Sequence, residues 1–375
     1  MDSTHNPELR PAAAGVTALI RDAAALAGFA AAAADASMIG IDTEFMRERT
    51  YYAQLCLLQI ALPAGSAAID TLALADFTAL RPLMVASGVR KVLHAARQDL
   101  EVLWPAIGAL TGVYDTQVAA ALTGLPPQIG YADLVERLLG VRLHKSQTRT
   151  DWTRRPLSPE QIAYALDDVR YLLPLRAQLD ERLEQLGRRD WFEEEMGAYD
   201  GAGSFAVDPA EAWKRLKGLA ELDPGRRELA QQLAAWREER AMASDRPRGW
   251  ILPDAALRDI VLRVPRSEPE LAQVAELPEG IRRNSGEQII AIVSELGLPA
   301  RLPPLPGRQR PDPERQQQVR RLADLTQATA TRLGLAPELL ATRRDLERLV
   351  AGARSGGPLE GWRRSVVGEA LLGAL

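Results

Sequence analysis

The sequence contains very little cysteine and histidine. Cys56 is the only cysteine among 375 residues, so an internal disulfide is excluded. It lies in the apolar run Leu55-Cys-Leu-Leu58, where we expect a small core residue. The three histidines, His5, His94 and His144, show no metal-ligand spacing, so a structural zinc site is not expected. A chain without disulfides suits a reducing compartment, which predicts a cytoplasmic protein.

The sequence also lacks a long uncharged apolar run. The alanine-rich run from Ala23 to Ala34 is too short, and too polar at its flanks, to cross a membrane. The first eight residues are polar and lack the basic-then-apolar pattern of a secretory signal. We therefore expect a protein that has no membrane partner.

Lysine is scarce, and nearly all of the 46 basic residues are arginines. The formal net charge is −4, but the charges are unevenly distributed. Residues 1–210 carry 19 basic and 27 acidic side chains, whereas residues 211–375 carry 27 basic and 23 acidic ones. An acidic front half fits a metal site made of carboxylates, and a basic rear half fits a contact with nucleic acid.

The most informative pattern is a pair of acids at the end of an apolar segment. The short run Met38-Ile-Gly-Ile41 predicts a buried strand that continues into Asp42 and Glu44. Residues two apart on a strand share one face, so both carboxylates project together. Adjacent anions repel unless a cation lies between them, and Mg²⁺ and Mn²⁺ prefer oxygen ligands. The pair predicts a divalent-metal site; an isolated Asp-x-Glu is otherwise commonly a solvated strand end.

Two further acidic positions strengthen that interpretation. Asp99 lies near the start of a predicted helix that follows another apolar strand, where a carboxylate also complements the helix dipole. Ser158 is a good N-cap for a later helix, on which Tyr164 and Asp168 are four residues apart and share one face. Asp167 competes for the same role, and the spacing of four favours Asp168.

At these residues the sequence resembles the DEDD exonuclease superfamily, in its tyrosine-bearing branch, and within it the ribonuclease D family. The residue five positions before the last aspartate is Ala163 rather than the histidine of the other branch. Matching flanks occur at 41–52, 55–60, 94–103, 145–152, 155–158 and 164–173. The resemblance is dense over roughly residues 15–200. It implies a ribonuclease-H-like α/β domain with a mixed sheet and flanking helices.

The resemblance also implies an activity, namely 3′→5′ hydrolysis of RNA that releases nucleoside 5′-monophosphates, with tRNA precursors as the RNA partner. Its catalytic residues would be Asp42, Glu44, Asp99, Tyr164 and Asp168. The four carboxylates provide about the right charge for two divalent cations, Mg²⁺ or Mn²⁺, which would stabilise the attacking and leaving oxygens together. An ordinary tyrosine pKa near 10 makes a poor base at neutral pH, so Tyr164 would orient the attacking water.

Candidate substrate contacts lie close to these motifs: Thr43, Phe45, Met46, Gln59, His94, Lys145 and Ser146. Phe45 and Met46 can stack beside a terminal base or pack in the core. Gln59 and His94 are polar residues in or at the end of apolar strands, where they can contact the terminal ribose or fix a loop. The lysine and serine belong to a polar connector before the last helix of the motif, where a backbone contact and a solvated loop are equally plausible.

Short strands alternate with helices through residues 15–115, and from about residue 116 the pattern is helical, through Tyr131–Leu139 and Pro159–Leu186. The predicted strands lie near Thr17–Ile20, Met38–Glu44, Gln54–Leu62, Ala67–Asp70, Lys91–His94 and Val113–Tyr114, and the strands at Gln54 and Ala67 can form a hairpin. We predict an exonuclease domain at 1–204, followed by all-helical domains that resemble the helicase-and-ribonuclease-D C-terminal (HRDC) domain. A first HRDC domain is predicted at 205–299, a linker at 300–313 and a degenerate second copy at 314–375. The alternative is one larger helical domain with a proline-rich loop.

Two classes of function remain open on the sequence alone. The first is a metal-dependent exoribonuclease, with a DNA-directed 3′→5′ exonuclease as its alternative within the enzyme class. The second is a catalytically silent RNA-binding protein. The complete set of five catalytic positions favours an enzyme. The sequence carries no signal for an oligomeric state.

Overall fold

The computed structural model describes residues 18–74, 76–143, 150–199, 207–216, 218, 222–299 and 312–375. Contacts divide the chain into two compact units. Unit 1 comprises Met1–Met46, Leu55–Phe205 and Pro311–Leu375, and unit 2 comprises Arg47–Gln54 and Ala206–Arg310. In the described ranges, no helix combines the length and apolar character that a bilayer span needs.

A mixed six-stranded sheet forms the centre of the described part of unit 1, in the order β1-β4-β3-β2-β5-β6. The strands are β1 Ala18–Ile20, β2 Met38–Met46, β3 Gln54–Leu62, β4 Gly65–Asp70, β5 Arg90–Leu93 and β6 Val113–Asp115. β3 and β4 form the antiparallel hairpin that the sequence predicts, whereas β1–β4, β2–β5 and β5–β6 are parallel pairs. Successive residues of β3 enter different hydrophobic clusters, because side chains alternate along a strand.

Helices cover the sheet of unit 1. They are α1 Ala23–Ala32, α2 Arg81–Val85, α3 Arg97–Ile107, α4 Thr116–Leu122, α5 Tyr131–Leu139, α6 Pro159–Arg170, α7 Leu172–Gln185 and α8 Arg189–Gly197. The single helix predicted over Pro159–Leu186 is divided at Tyr171. Pro174 has no N–H to donate to the Arg170 carbonyl, and the Tyr171 N–H donates to the Tyr131 hydroxyl at 3.1 Å.

The described part of unit 2 consists of helices and their connections together with the segment Arg47–Gln54. Its elements are a 3₁₀ helix Pro209–Arg215 and the helices α9 Pro224–Ser244, α10 Arg248–Ile251, α11 Asp254–Arg263, α12 Glu268–Leu271 and α13 Glu279–Glu295. Within this unit, the backbone N–H groups of Tyr51 and Tyr52 both donate to Asp245 Oδ1 at 3.0 Å, and the Tyr51 hydroxyl donates to the buried Glu238. The segment 47–54 is thereby fixed to α9.

The C-terminal helices pack with the sheet-containing part of unit 1. They are α14 Pro313–Leu333, α15 Arg343–Val350, α16 Gly361–Arg363 and α17 Glu369–Gly373. Trp362 stacks on Trp191 of α8 with ring centroids 4.4 Å apart, and its indole N–H donates to Glu195 at 2.7 Å. One hydrophobic cluster includes Leu346 and Phe192 together. The domain boundaries at 204, 299 and 313 stay predictions, and the contacts group Pro311–Leu375 with the front half of the chain.

Removing the indole of Trp362 should therefore destabilise the exonuclease core as well as the C-terminal helices. We expect Trp362→Ala to lower the free energy of unfolding by about 3–5 kcal/mol in a single transition, as for other large-to-small core changes. Denaturant unfolding followed by circular dichroism measures this, with Trp362→Phe as the milder control. A separate early transition, with the main one unchanged, would contradict the shared core.

Candidate active site

Three acidic side chains converge at the end of β2. Asp42 and Glu44 project from the same face of that strand, and Asp168 approaches from α6. Each of the three places one carboxylate oxygen so that all three oxygens lie within 4.8 Å of one another. The structure thus brings together three of the four carboxylates that the sequence predicts as metal ligands.

Gly40 allows α7 to pack closely beside this strand. A Cβ atom at position 40 would lie 3.2 Å from the Leu172 side chain and 3.3 Å from the Cβ of Ala61. Such contacts are tighter than ordinary van der Waals distances, so a larger residue would push α7 away from β2. The glycine two residues before Asp42 therefore helps to set the approach of the helices to the acidic cluster.

Asp99 is close to this cluster but has a different local partner. It lies in the first turn of α3, is buried, and accepts a hydrogen bond from the Thr43 hydroxyl at 2.5 Å. It is not one of the three residues whose oxygens lie within 4.8 Å. Its negative charge nevertheless raises the pKa of both Asp42 and Glu44. Asp99 as a metal ligand, and Thr43 as a substrate contact, stay predictions.

The carboxylates strongly disfavour one another's ionisation. Burial, and then the charges of the neighbouring carboxylates, raise the pKa of Asp42 well above its ordinary value. The same two causes raise the pKa of Glu44 to about 8. Burial is also the main reason that the pKa values of Asp99 and Asp168 rise to about 7. Near neutral pH such a cluster favours binding of a proton or a cation, because neighbouring carboxylates repel one another when both are ionised.

The end of the site formed by α6 is held in place by several side chains. The Ser158 hydroxyl and the Gln161 amide form the capping box that the sequence predicts. One turn later, the Tyr164 hydroxyl donates to the Asp168 carboxylate, which lowers the pKa of that acid against the effect of burial. Asp167 instead pairs with Arg170 at 2.7 Å. The helix therefore turns Asp168, and not its neighbour, towards the cluster.

The acids open into a cavity of about 270 Å³. Its lining comprises Asp42, Thr43, Glu44, His94, Tyr131, Tyr164, Asp168 and Leu172. Tyr131 is a lining residue that the sequence does not predict. Its hydroxyl donates to the Asp167 carbonyl at 3.0 Å and so connects α5 to α6. No local pattern marks this tyrosine, because its partner lies 36 residues away.

His94 lines the cavity, and both of its ring nitrogens are engaged, one with the Thr116 hydroxyl and one with the Ile129 carbonyl, each at 2.9 Å. These two contacts hold the ring in place. Gln59 is fully buried and is not among the residues that line the cavity. A contact of either residue with substrate stays a prediction.

Two further candidate substrate contacts, Phe45 and Met46, are not part of the cavity lining. Met46 is half-buried and packs against the small cluster around Cys56 and Trp152, which matches the core-packing alternative. Phe45 is also half-buried. Lys145 and Ser146 lie outside the described residues, so their contact with substrate stays a prediction.

The chain is similar to known nucleases over nearly its whole length. Residues 17–184 match the family model of a 3′-5′ exonuclease, and residues 226–293 match that of the HRDC domain. A ribonuclease D of Nitrobacter hamburgensis is 39% identical over 94% of both chains, and one of Jannaschia sp. is 38% identical over 92% of both. The chain belongs to the ribonuclease D family.

The fold agrees with this assignment. The crystal structure of Escherichia coli RNase D, described as an exoribonuclease involved in structured RNA processing, matches with a TM-score of 0.85 and 31% identity. The match covers 96% of this chain and 98% of that one. Ribonuclease D membership confirms the predicted fold class, an α/β exonuclease domain followed by HRDC-type helices, and the predicted enzyme class, a metal-dependent 3′→5′ exoribonuclease.

The donor set of this ribonuclease D chain fits a hard divalent cation. Each member of the cluster offers a carboxylate oxygen, and oxygen ligands of this kind suit Mg²⁺ and Mn²⁺. Burial and repulsion between the carboxylates are the main causes that raise the pKa values of Asp42 and Glu44. The negative charges of the cluster are therefore not balanced by nearby positive charge. A divalent cation at this place would supply that charge.

Without metal, the site should make the protein less stable as pH rises. The pKa of Glu44 is raised to about 8 and those of Asp99 and Asp168 to about 7, so the folded state retains protons that the unfolded state has released. The contribution of these groups to stability is therefore complete below about pH 4 and is lost between about pH 4 and 8. We expect the melting temperature in EDTA to fall across that window, and Mg²⁺ or Mn²⁺ to restore it most at the alkaline end.

Glu44→Gln is the matched variant for this measurement, because it removes one of the repelling charges. Its melting temperature in EDTA should depend less on pH than that of the wild type, and the metal should stabilise it less. Equal pH slopes in the two proteins would contradict the electrostatic account.

The two adjacent aspartates of α6 should differ sharply in their effect on catalysis. We expect Asp168→Asn to lower the rate of RNA hydrolysis by several orders of magnitude, because it removes a member of the acidic cluster. Asp167→Asn, which only breaks an exposed ion pair with Arg170, should keep nearly the wild-type rate. Initial rates at saturating Mg²⁺ measure both. The reverse order would show that Asp167 holds the catalytic position.

Proposed function

We propose that the chain hydrolyses RNA from the 3′ end by a two-metal mechanism and releases nucleoside 5′-monophosphates. The observation that carries this proposal is the convergence of Asp42, Glu44 and Asp168, with one oxygen of each within 4.8 Å of the others. Buried anions this close require cationic charge, and a phosphodiester brings more negative charge to the same place. Two divalent cations stabilise the attacking and the leaving oxygen when both are bound.

The residues around the cations have distinct tasks in this proposal. Asp42, Glu44, Asp99 and Asp168 hold the two ions. Thr43 keeps Asp99 in place through its hydrogen bond to Oδ1. The cavity lies near the lower limit of the volumes usual for small-molecule sites, about 300 Å³, which suits one terminal nucleotide better than a duplex. Such a size is compatible with cleavage at a chain end.

Tyr164 has an orienting task. Its hydroxyl lies on the cavity and already donates to Asp168, so it is fixed in direction before substrate arrives. Trp152 lies beside it, with ring centroids 6.2 Å apart, and limits the movement of the phenol. In this position the hydroxyl can direct an attacking water, whereas a phenol is a weak base at neutral pH.

Tyr164→Phe should leave the fold intact and slow hydrolysis by about 10²–10⁴-fold, the usual range for one orienting or proton-transferring contact. The variant also loses the hydrogen bond that lowers the pKa of Asp168, so its rate should need a higher pH to reach its maximum. A pH–rate profile under single-turnover conditions measures both effects. A wild-type profile would mean that the tyrosine only packs against Trp152.

The proposed RNA partners are structured precursors, with tRNA precursors as the class that the family resemblance implies. The description of the Escherichia coli relative as an enzyme of structured RNA processing supports this choice. Unit 2 adds a second source of support. Arg215 and Arg248 border a cavity of about 540 Å³ in that unit, together with Tyr51. Two further aromatic residues of the unit, Tyr52 and Trp250, do not line this cavity but are 42% and 57% exposed. Arginines with exposed aromatic rings are typical of surfaces that bind single-stranded nucleic acid.

The proposal is tested most simply by substrate choice. The full chain is incubated with a 3′-extended tRNA precursor or a DNA strand of the same sequence, each internally labelled, in Mg²⁺ or in EDTA. We expect nucleoside 5′-monophosphates from the RNA only, and only with metal. Equal rates on DNA would favour the DNA-directed alternative. Tight RNA binding without product in Mg²⁺ and in Mn²⁺ would favour the silent RNA-binding protein.

A further inference from the structure

Gln59 is a buried polar residue whose side-chain amide forms no hydrogen bond. It lies in the middle of β3, is 0% exposed, and neither its Oε1 nor its Nε2 has a hydrogen-bond partner. An unsatisfied buried polar group typically costs about 1–3 kcal/mol. A site of this kind calls for an explanation, and an apolar residue would fill the position more favourably if packing were the only demand.

The pleat of the sheet places Gln59 beside the acidic cluster. β2 and β3 are neighbours joined by only seven residues, so they run antiparallel, because a parallel pair needs a long crossover. Position 40 of β2 lies next to Ala61 on one face of the sheet, as the distance of 3.3 Å between their Cβ positions shows. Asp42 comes two residues after position 40, and Gln59 comes two residues before Ala61. Because the strands are antiparallel, Asp42 therefore lies next to Gln59 on the same face.

Helix α6 covers this face and excludes solvent from Gln59. Leu57, two residues before it, and Ala68, its partner on β4, both belong to the buried cluster that includes Ala165 and Leu166 of α6. The amide thus lies beneath the helix that carries Tyr164 and Asp168 and on the same face of the sheet as Asp42. It is fully buried, and its neighbour on β2 is Asp42.

We propose that Gln59 is a positioning residue for the metal site: its Nε2–H donates to the Asp42 carboxylate when a divalent cation is bound, and it holds that ligand in its coordinating orientation. This inference rests on the proposed metal site. Carboxylates that coordinate a metal are themselves usually hydrogen-bonded by groups behind them. A hydrogen bond from an amide to a charged carboxylate is stronger than one between neutral groups.

The test is the affinity of the full chain for Mn²⁺, measured by titration calorimetry without RNA. Gln59→Met keeps the length of the side chain and removes only its polar atoms. We expect the variant to bind Mn²⁺ about 10–100-fold more weakly, the usual effect of losing a hydrogen bond to a metal ligand. Its melting temperature in EDTA should equal or exceed that of the wild type, because an unsatisfied buried group has been removed.

Leu57→Met is the matched control. Leu57 is equally buried, lies on the same face of the same strand, and carries no polar atom. This variant should bind Mn²⁺ as the wild type does and should change stability by less than about 1.5 kcal/mol. It separates the loss of the amide from a general disturbance of β3.

The other outcomes overturn the inference. If Gln59→Met binds Mn²⁺ with wild-type affinity but melts at a lower temperature in EDTA, the amide is satisfied by a buried water and has only a structural role. If both variants lose affinity equally, packing of β3 is the cause. If the wild type itself binds no Mn²⁺, the proposed metal site fails, a result distinct from failure at Gln59 alone.

Discussion

Repulsion among half-buried carboxylates is the constraint on which the active site depends. Asp42, Glu44 and Asp168 are held close together by β2 and α6, where burial and mutual repulsion raise their pKa values. The fold therefore maintains an arrangement that is unfavourable without added positive charge. Binding of a divalent cation would relieve this repulsion.

Much of unit 1 holds those acids against that repulsion. The glycine at position 40 lets Leu172 approach β2, and Thr43 fixes Asp99 from the opposite face of the strand. Arg155 binds Asp70 through two hydrogen bonds, of 2.7 and 2.8 Å, and also the carbonyl of Trp152. That arginine ties residues 152–155 to β4 and so holds Trp152 beside Tyr164. Each of these contacts fixes an element that carries a catalytic position.

Local sequence patterns were sufficient to predict the strands, the hairpin and the motifs. The alternation along β2 placed Asp42 and Glu44 on one face, and the spacing of four on α6 selected Asp168 over its neighbour, as the structure shows. The capping box at Ser158 was equally visible, because it depends on residues three apart. Resemblance to a known family supplied the activity, which local patterns alone do not specify.

Contacts between distant residues could not be predicted in this way. The hydrogen bond from Thr43 to Asp99 spans 56 residues, and that from Trp362 to Glu195 spans 167. The hydrophobic periodicity of the sequence does not predict either hydrogen-bond partner. For the same reason, the sequence leaves the roles of His94 and Gln59 open: a polar residue in an apolar strand is easily noticed, but its partner depends on the packing of remote segments.

The proposed mechanism requires the acidic cluster to hold two divalent cations. The most direct test is anomalous X-ray diffraction from crystals of the full chain grown with Mn²⁺ and a nucleoside 5′-monophosphate. The account predicts two anomalous peaks about 3.5–4 Å apart, the usual spacing of two-metal sites, both within coordinating distance of Asp42. A single peak, or peaks remote from Asp42, Glu44 and Asp168, would contradict it.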